Sequence, residues 1–576
     1  MYNPLDLLPT LISYYESLCI KISTRKWHYP GFFLSSGLLF PLSLYLFKLK
    51  TKYTFLNIVK DIVVNLLIVI GTIFFLKGFF IFLFLLPIAR IVKFLYAKFT
   101  LNKPITEKIE IPEERTRKKF ELTGLDKLAI VFILFIGVSF LINSSKLYPV
   151  GDDAWYHLAV SRNIIELGKI PMWDTWEFQP FGRPHLYPPL LHLMIAFFSG
   201  EPDRVIEGAR VLQVFLYSIS LFLYWYFFRM LFSSKIALIA LVFLSMDFTF
   251  FLIYLGLMPS ALVNLFLPLL LISFLLKKLK TSVFLMVLCL YSHLSFPFLI
   301  LVCLFIVSYK YRSYLSFYKK FALISLVLYI PWAIRVFFFR DFLRSFATIT
   351  GNPVLGLLIG MLSLQILNPV FLYLGYKGIK NSSGDNRDLI KYILIGFLPA
   401  LIFYGGRYWF HAAPFWCIMI ALYLQRFFNT RKMIAVLLII SLIPMPLIAI
   451  GVPNVKSPLL PGITAMDQAI LLYGPSDKLI EIQNDQKLKN YILENVPEEK
   501  VIHVDEPTLA DRVVVLTGRK VDNGMWFEVG NEEIRKGIEI IRLTEKNAYF
   551  VYKNKDKLPP VDKIFQIGDY WIGIRD

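Results

Sequence analysis

Apolar runs of about 20 residues, separated by short polar connections, recur along most of this chain, and each is long enough to cross the ~30 Å hydrocarbon core of a bilayer. They lie at 31–48, 55–75, 77–96, 127–144, 208–231, 235–253, 257–276, 321–339, 353–375, 389–404, 408–425 and 432–451, with a further pair inside 281–309. That pair breaks at Tyr291-Ser292-His293-Leu294-Ser295-Phe296-Pro297. The break predicts two short helices that meet towards the outer face, since neighbouring helices can bury a proline interruption. The pattern as a whole predicts a polytopic α-helical membrane protein with about 13–14 transmembrane helices.

Three stretches depart from the apolar pattern. Residues 1–30 are short and partly amphipathic. The loop 145–207 carries eight acids against five Lys and Arg. It predicts one interfacial helix from Ala154 to Leu167, capped by Asp153 and ended by Gly168, and a second from Leu190 to Phe198 after Pro188-Pro189. Residues 452–576 are polar enough to fold in water. A helix over 478–494 and strands over 500–504, 537–542, 548–553 and 570–574 predict a small mixed α/β domain there. The chain therefore divides into extra N-terminal helices (1–100), a basic linker (101–126), a helical module with its first loop (127–451) and the terminal domain (452–576). No internal repeat is visible.

Composition sharpens this picture. Hydrophobic residues make up 57% of the chain and charged ones 18%, against about 25% charged in an average soluble domain. The net charge of +20 is unevenly placed. Residues 452–576 sum to −3 and residues 1–451 to +23, with the excess in short connections, as the positive-inside rule requires. A nucleic-acid partner would need a basic face on a soluble domain, and the sequence offers none. Lys98, Lys103, Lys108, Arg115, Arg117, Lys118, Lys119 and Lys127 place the connection 97–127 inside, so the next helix delivers its C-terminal loop to the outer face. The final crossing places 452–576 on that face too. Cys19, Cys289, Cys303 and Cys417 have no disulfide spacing. Asp6 and Glu16 interrupt the first stretch, so no cleavable signal is predicted.

The candidate chemistry lies on the outer face. Gly151-Asp152-Asp153-Ala154-Trp155-Tyr156-His157 crowds two carboxylates and an imidazole where the chain leaves the membrane. A capping Asp contributes about 1 kcal/mol, which accounts for one acid and not for two. Trp173, Asp174, Trp176 and Glu177, followed by Gly182-Arg183-Pro184-His185-Leu186-Tyr187, interleave rings and acids as a sugar site does, although Trp173 and Trp176 also suit an interfacial belt. Gly405-Gly406-Arg407-Tyr408-Trp409-Phe410-His411 reads as a tight outer turn. There Arg407, aided by His411, would grip a phosphate or simply reach towards lipid headgroups. His293, at the broken pair, would serve a ligand or a local hydrogen bond. Arg335, Arg340 and Arg344 add positive charge near the outer face. Asp61 and Asp247 fall within apolar spans without an evident partner.

Gly151-Asp152-Asp153-Ala154-Trp155-Tyr156-His157-Leu158 resembles the first-loop motif Gly-Asn-Asp-Pro-x-Tyr-His of the catalytic subunit of oligosaccharyltransferases, members of the GT-C superfamily of membrane glycosyltransferases. Pro171, Asp174, Gly182 and Tyr187-Pro188-Pro189-Leu190 follow the pattern of that loop. Leu516-Thr517-Gly518-Arg519 and Asn523-Gly524-Met525-Trp526-Phe527-Glu528-Val529 are similar to the outer domains of archaeal GT-C proteins. The resemblance covers about 127–576. It implies a GT-C-like fold, with Asp153 at the family's catalytic, metal-binding position and Mg2+ or Mn2+ as the one cofactor it would bring.

The departures narrow that implication. Leu257-Met258-Pro259-Ser260-Ala261-Leu262-Val263-Asn264 stands where a second acidic motif is expected, Thr348-Ile349-Thr350-Gly351 lacks the later Glu, and the tail has no Trp-Trp-Asp-Tyr-Gly. The expected activity is thus transfer of a sugar from a polyprenyl- or dolichyl-phosphate donor to a hydroxyl of a glycan, lipid or protein acceptor. Asp153 and Asp152 would be catalytic, and Arg407, His411, His157, Asp174, Glu177, Trp173, Tyr187 and His293 would bind substrate. En bloc glycan transfer to protein is one alternative. A transporter or flippase for a lipid-linked or anionic solute is another, and a non-catalytic scaffold leaves the acidic cluster without a purpose.

Overall fold

In the computed structural model the described residues are 121–143, 148–149, 152–245, 247–342, 369–381, 384–427, 475–524 and 532–576. The apolar runs at 31–48, 55–75, 77–96 and 432–451, most of 353–375, and Asp61 lie outside them. The helical core opens with α1 (Gly124–Asn143). Thr123 and Asp126 cap each other at its start, the Thr123 hydroxyl donating to Asp126 at 2.8 Å and accepting the Asp126 amide, a reciprocal capping box. Asp126 also pairs with Arg229 at 2.9 Å. This ties the start of α1 to the last turn of α4 (Val205–Leu231), at the face the charge pattern assigns to the inside.

Between them, the first loop folds as α2 (Asp152–Leu167), β1 (Trp173–Asp174), β2 (Arg183–Pro184) and α3 (Leu190–Ser199). The strands pair antiparallel, Asp174 opposite Arg183. Helix α2 begins two residues earlier than its composition predicts, so Asp153 is inside its first turn and does not cap it. Gly168, at φ +62°, ends it as expected, because a residue with no Cβ enters that conformation freely.

The span expected at 235–253 is two helices, α5 (Ser234–Ser245) and α6 (Phe248–Leu255). The break gives Asp247 a purpose: its carboxylate accepts the Phe250 amide at 2.8 Å and caps α6. Then come α7 (Ser260–Leu275), α8 (Leu279–Leu290), α9 (Phe296–Lys310) and α10 (Leu315–Phe338). The interruption between α8 and α9 falls where the sequence places it. Tyr291 O there accepts the Leu190 amide at 3.0 Å, so the break lies against the first loop.

One expectation is corrected by α11 (Pro369–Asn381), α12 (Asp385–Phe397) and α13 (Pro399–Leu424). Gly405-Gly406-Arg407 does not form a turn between two crossings; all three lie inside α13. The chain bends instead at Leu398-Pro399. A glycine in a helix interior costs only about 1 kcal/mol, whereas Pro399 has no amide to donate back into α12 and suits the first turn of the next helix. Among the described residues two helices are long and apolar enough to cross a membrane, Pro202–Leu231 and Arg312–Phe338, and the bent α5–α6 pair would make a third.

The C-terminal domain contains α14 (Pro475–Asn495), β3 (Ile502–Val504), α15 (Pro507–Thr517), α16 (Glu532–Thr544), β4 (Ala548–Tyr552), β5 (Lys563–Ile567) and β6 (Tyr570–Arg575). Its sheet runs β3-β4-β6-β5, with β3 and β4 parallel and the other pairs antiparallel. The strand expected over 537–542 is part of α16. Ile534, Ile538 and Ile541 recur at helical spacing, and Ile534 and Ile538 pack with Phe178 and Phe342, a tertiary contact that local alternation does not report. The protein is an α-helical core carrying a small mixed α/β domain.

Candidate active site

Helix α2 presents a different set of side chains to each of its surroundings, as 3.6 residues per turn dictate. Asp153, Tyr156 and His157 share one face. Ala154 and Leu158 share a second, and Trp155 and Arg162 share the face turned to the C-terminal domain. From Ala154 to Ile164 the helix is buried on every side. Asp153 is half-buried at its start, and Asp152 opens it.

The Ala154–Leu158 face walls a cleft of about 10 Å³, completed by Tyr148, Pro149, Ile206, Ala209, Arg210, Gln213 and Leu257. That volume holds about one water. Arg210, in the first turns of α4, is the cation on this wall. It also lies 3.9 Å from Glu207 on its own helix. Gln213 is fixed by donating to Leu255 O at 2.8 Å. Leu257 holds a left-handed backbone, φ +51°, which for a side chain of its size costs roughly 1–2 kcal/mol. The strained residue thus falls in the segment where an acidic motif is missing from the sequence.

Five of the seven histidines gather below the acidic end of α2. His157 Nδ1 and His192 Nε2 are 2.8 Å apart, the His185 and His192 rings 5.3 Å, and Tyr187 touches His157 and His293 edge to face at 5.3 and 6.3 Å. Burial, and then the neighbouring His185, push His157 down to about 3. Burial pushes His192 well below its usual range too. The pair is therefore neutral at pH 7 and shares one N–H between two rings. His293 Nδ1 accepts the amides of Ser295 and Phe296, both at 3.1 Å, and so caps α9. His411, buried in α13, stacks nearly parallel on Phe296. The Arg407 side chain lies outside what is described.

The acids of the loop are deeper than a surface sugar site requires. Asp174 and Glu177 are fully buried. Arg183 pairs with Glu177 at 2.8 Å and with Asp174 at 3.4 Å, and His185 is 3.6 Å from Asp174. Burial pushes Glu177 up while Arg183 pulls against it. For Arg183 the carboxylates outweigh burial and hold it above its ordinary value. Two acids around one buried cation form a structural clamp, since either acid alone would be costly to hold there. Trp173 is partly exposed, donates to Phe181 O at 3.1 Å and meets Phe339 and Phe342 edge to face.

The C-terminal domain closes over this clamp. Val521 donates its amide to Trp176 O at 2.8 Å, and Gln179 donates to Val521 O at 3.1 Å. Gly524 lies so close to Glu177 that a Cβ there would be 2.3 Å from Oε2. Arg162 reaches Val515 O at 3.1 Å and Asp203 at 2.8 Å. Of the tail residues that carry the resemblance, Gly518 lies against Arg162 and Gly524 against Glu177. Among the described residues no group of three or more His, Cys, Asp or Glu has the arrangement to hold a metal ion.

The structure brings together His157, Tyr187, His293 and His411 by the broken α8–α9 pair and buries Asp174 and Glu177 around Arg183, while Asp153 stands one turn before His157 on α2. Sequence reasoning missed Arg210 and His192, and met Arg183 and His185 only as part of the candidate sugar-binding run. The one available signal was an arginine in the first turns of an otherwise apolar helix leaving the acidic loop.

No family model matches the chain, and no curated protein matches it in sequence. Its fold is shared with ArnT from Cupriavidus metallidurans. The form bound to undecaprenyl phosphate matches with a TM-score of 0.53 at 13% identity, over 79% of this chain and 98% of that one. The apo form matches at 0.51, again at 13%, over 77% and 97%. The Archaeoglobus fulgidus oligosaccharyltransferase in its apo form matches at 0.49 and 13%, over 76% and 70%. The likeness to ArnT is one of fold.

Proposed function

We propose that this protein is a membrane glycosyltransferase that moves a sugar from a polyprenyl-phosphate donor to an acceptor hydroxyl at the outer face. The observation that carries the reading is the placement of Asp153. It lies in the first turn of a buried helix whose Ala154–Leu158 face walls a small cleft, and Arg210 lines that same cleft. The fold it shares with a protein crystallised with undecaprenyl phosphate supports the donor class.

The reaction needs a base on the acceptor and positive charge on the departing phosphate. Asp153 takes the proton from the acceptor hydroxyl as that oxygen bonds to the anomeric carbon. The carbon–oxygen bond to the phosphate breaks, its electron pair leaves with the phosphate oxygen, and the configuration inverts. A positioned base contributes about 10²–10⁴-fold, and fixed positive charge at the leaving group is usually worth more. Arg210 supplies that charge. The neutral His157–His192 pair ties α2 to α3, and the partly exposed Trp173 offers a ring face to the sugar. The missing second acidic motif argues for a single-sugar donor and against en bloc transfer to protein.

Incubating the full chain in vesicles with a labelled polyprenyl-phosphate sugar and a mixed glycan and lipid acceptor pool tests the class. Release of polyprenyl phosphate with label on an acceptor is the expected result. Movement of intact donor across the bilayer without cleavage contradicts it.

A further inference from the structure

A buried cluster joins the α/β domain to the acidic helix and takes no part in the chemistry above. Tyr148, on the cleft wall, donates its hydroxyl to Asp485 of α14. Asp485 also accepts the Tyr570 hydroxyl from β6 and, at 3.2 Å, Arg512 Nη1 from α15. Arg512 donates to the Tyr570 oxygen at 3.0 Å and pairs with Glu481 at 2.7 Å. Its guanidinium lies 4.7 Å from the centre of the Trp155 ring, and Trp155 meets Tyr148 edge to face at 5.3 Å. The circuit Tyr148–Asp485–Arg512–Trp155 is therefore closed, and all four side chains are at most 7% exposed.

Two of its members, Tyr148 and Trp155, flank Asp152 and Asp153 in the chain. The other two come from a domain that begins more than 300 residues later. Docking of that domain does not depend on the circuit, because Arg162 with Val515 and Val521 with Trp176 and Gln179 hold it separately. The circuit holds the Tyr148 ring on the cleft wall and seats Trp155 in the first turn of α2.

We propose that Asp485 is a positioning residue of the transfer site: through Tyr148 and Arg512 it fixes the cleft wall and the first turn of α2, so the α/β domain sets the place of Asp153. This rests on the role given to Asp153 above. A displacement of about 1 Å at a reacting group can cost on the order of 100-fold in rate, and a buried network whose members are all paired resists such a shift.

The test uses the full chain in vesicles with Y148F, D485N and the double variant. Each single change is expected to lower kcat by about 10–100-fold with KM nearly unchanged. The double is expected to be no worse than the poorer single, because both weaken the same Tyr148–Asp485 contact. Wild-type turnover by either single variant, or losses that multiply, overturns the proposal. A second readout does not involve sugar transfer: L158C, on the cleft wall, should react faster with an aqueous maleimide when D485N is present. Unchanged labelling overturns the positioning role. Faster labelling in a protein that never cleaves the donor leaves the positioning intact and removes the assignment of the chemistry.

Discussion

Asp153 stands in the first turn of α2 and Arg210 in the first turns of α4, on the wall of the cleft that α2 also lines, and each has a distinct expected phenotype. R210A should reduce transfer by about 10²–10³-fold, the loss typical of removing a donor that stabilises developing negative charge. R210K should recover part of it, as a point charge replaces a planar fork. A steady-state assay with the labelled donor checks both. The buried imidazoles make a different prediction. His157 is held at about 3 in the folded protein, below the ~6.5 of an exposed histidine. The unfolded chain therefore binds more protons between those values. Stability is complete above about pH 6.5 and falls as pH drops towards 3, by up to about 1.4 kcal/mol per pH unit. H157F should flatten that slope in melts recorded from pH 7 to 4. Of these residues only the acids and His157 were legible in the sequence. Arg210 resembles any basic residue at the end of an apolar span, and Arg183 shows its purpose only once Asp174 and Glu177 close on it.

Among the elements, those defined by local chemistry were readable. Gly168 stops α2, proline-rich turns precede α3, and the polar break separates α8 from α9. Where a distant contact decides, local reading failed. The glycine pair of α13 reads locally as a turn, and the isoleucines of α16 as a strand, yet both lie in helices. Glycines elsewhere show what their absence of a Cβ permits. Gly378 of α11 lies against the backbone of Met419 in α13, and a Cβ there would be 1.9 Å from the Met419 carbonyl oxygen. G378A should force the two helices apart and destabilise the protein by roughly 1–3 kcal/mol, seen as a lower unfolding temperature in detergent. An unchanged temperature would contradict this packing.

At the scale of the whole molecule, the Asp126–Arg229 pair and the basic connections mark one face, while the acidic loop and the α/β domain mark the other. Cysteines placed at exposed Lys169 and Lys557 should react with a membrane-impermeant reagent from outside, and those at Lys278 and Lys280 only from inside, in a protein freed of its native cysteines. The opposite pattern would remove the site from the face where the donor is proposed to react. Division into core and tail was visible in composition, but the tail's grip on the first loop was not, since Tyr148 and Asp485 are 337 residues apart. The central claim is that Asp153 removes the acceptor proton. Its most direct test compares wild type and D153N in the same vesicles, measuring label transferred to acceptor and the anomeric configuration of the product. The account predicts an inverted product from the wild type, and a folded, membrane-inserted D153N that transfers nothing. Near-normal transfer by D153N would contradict it.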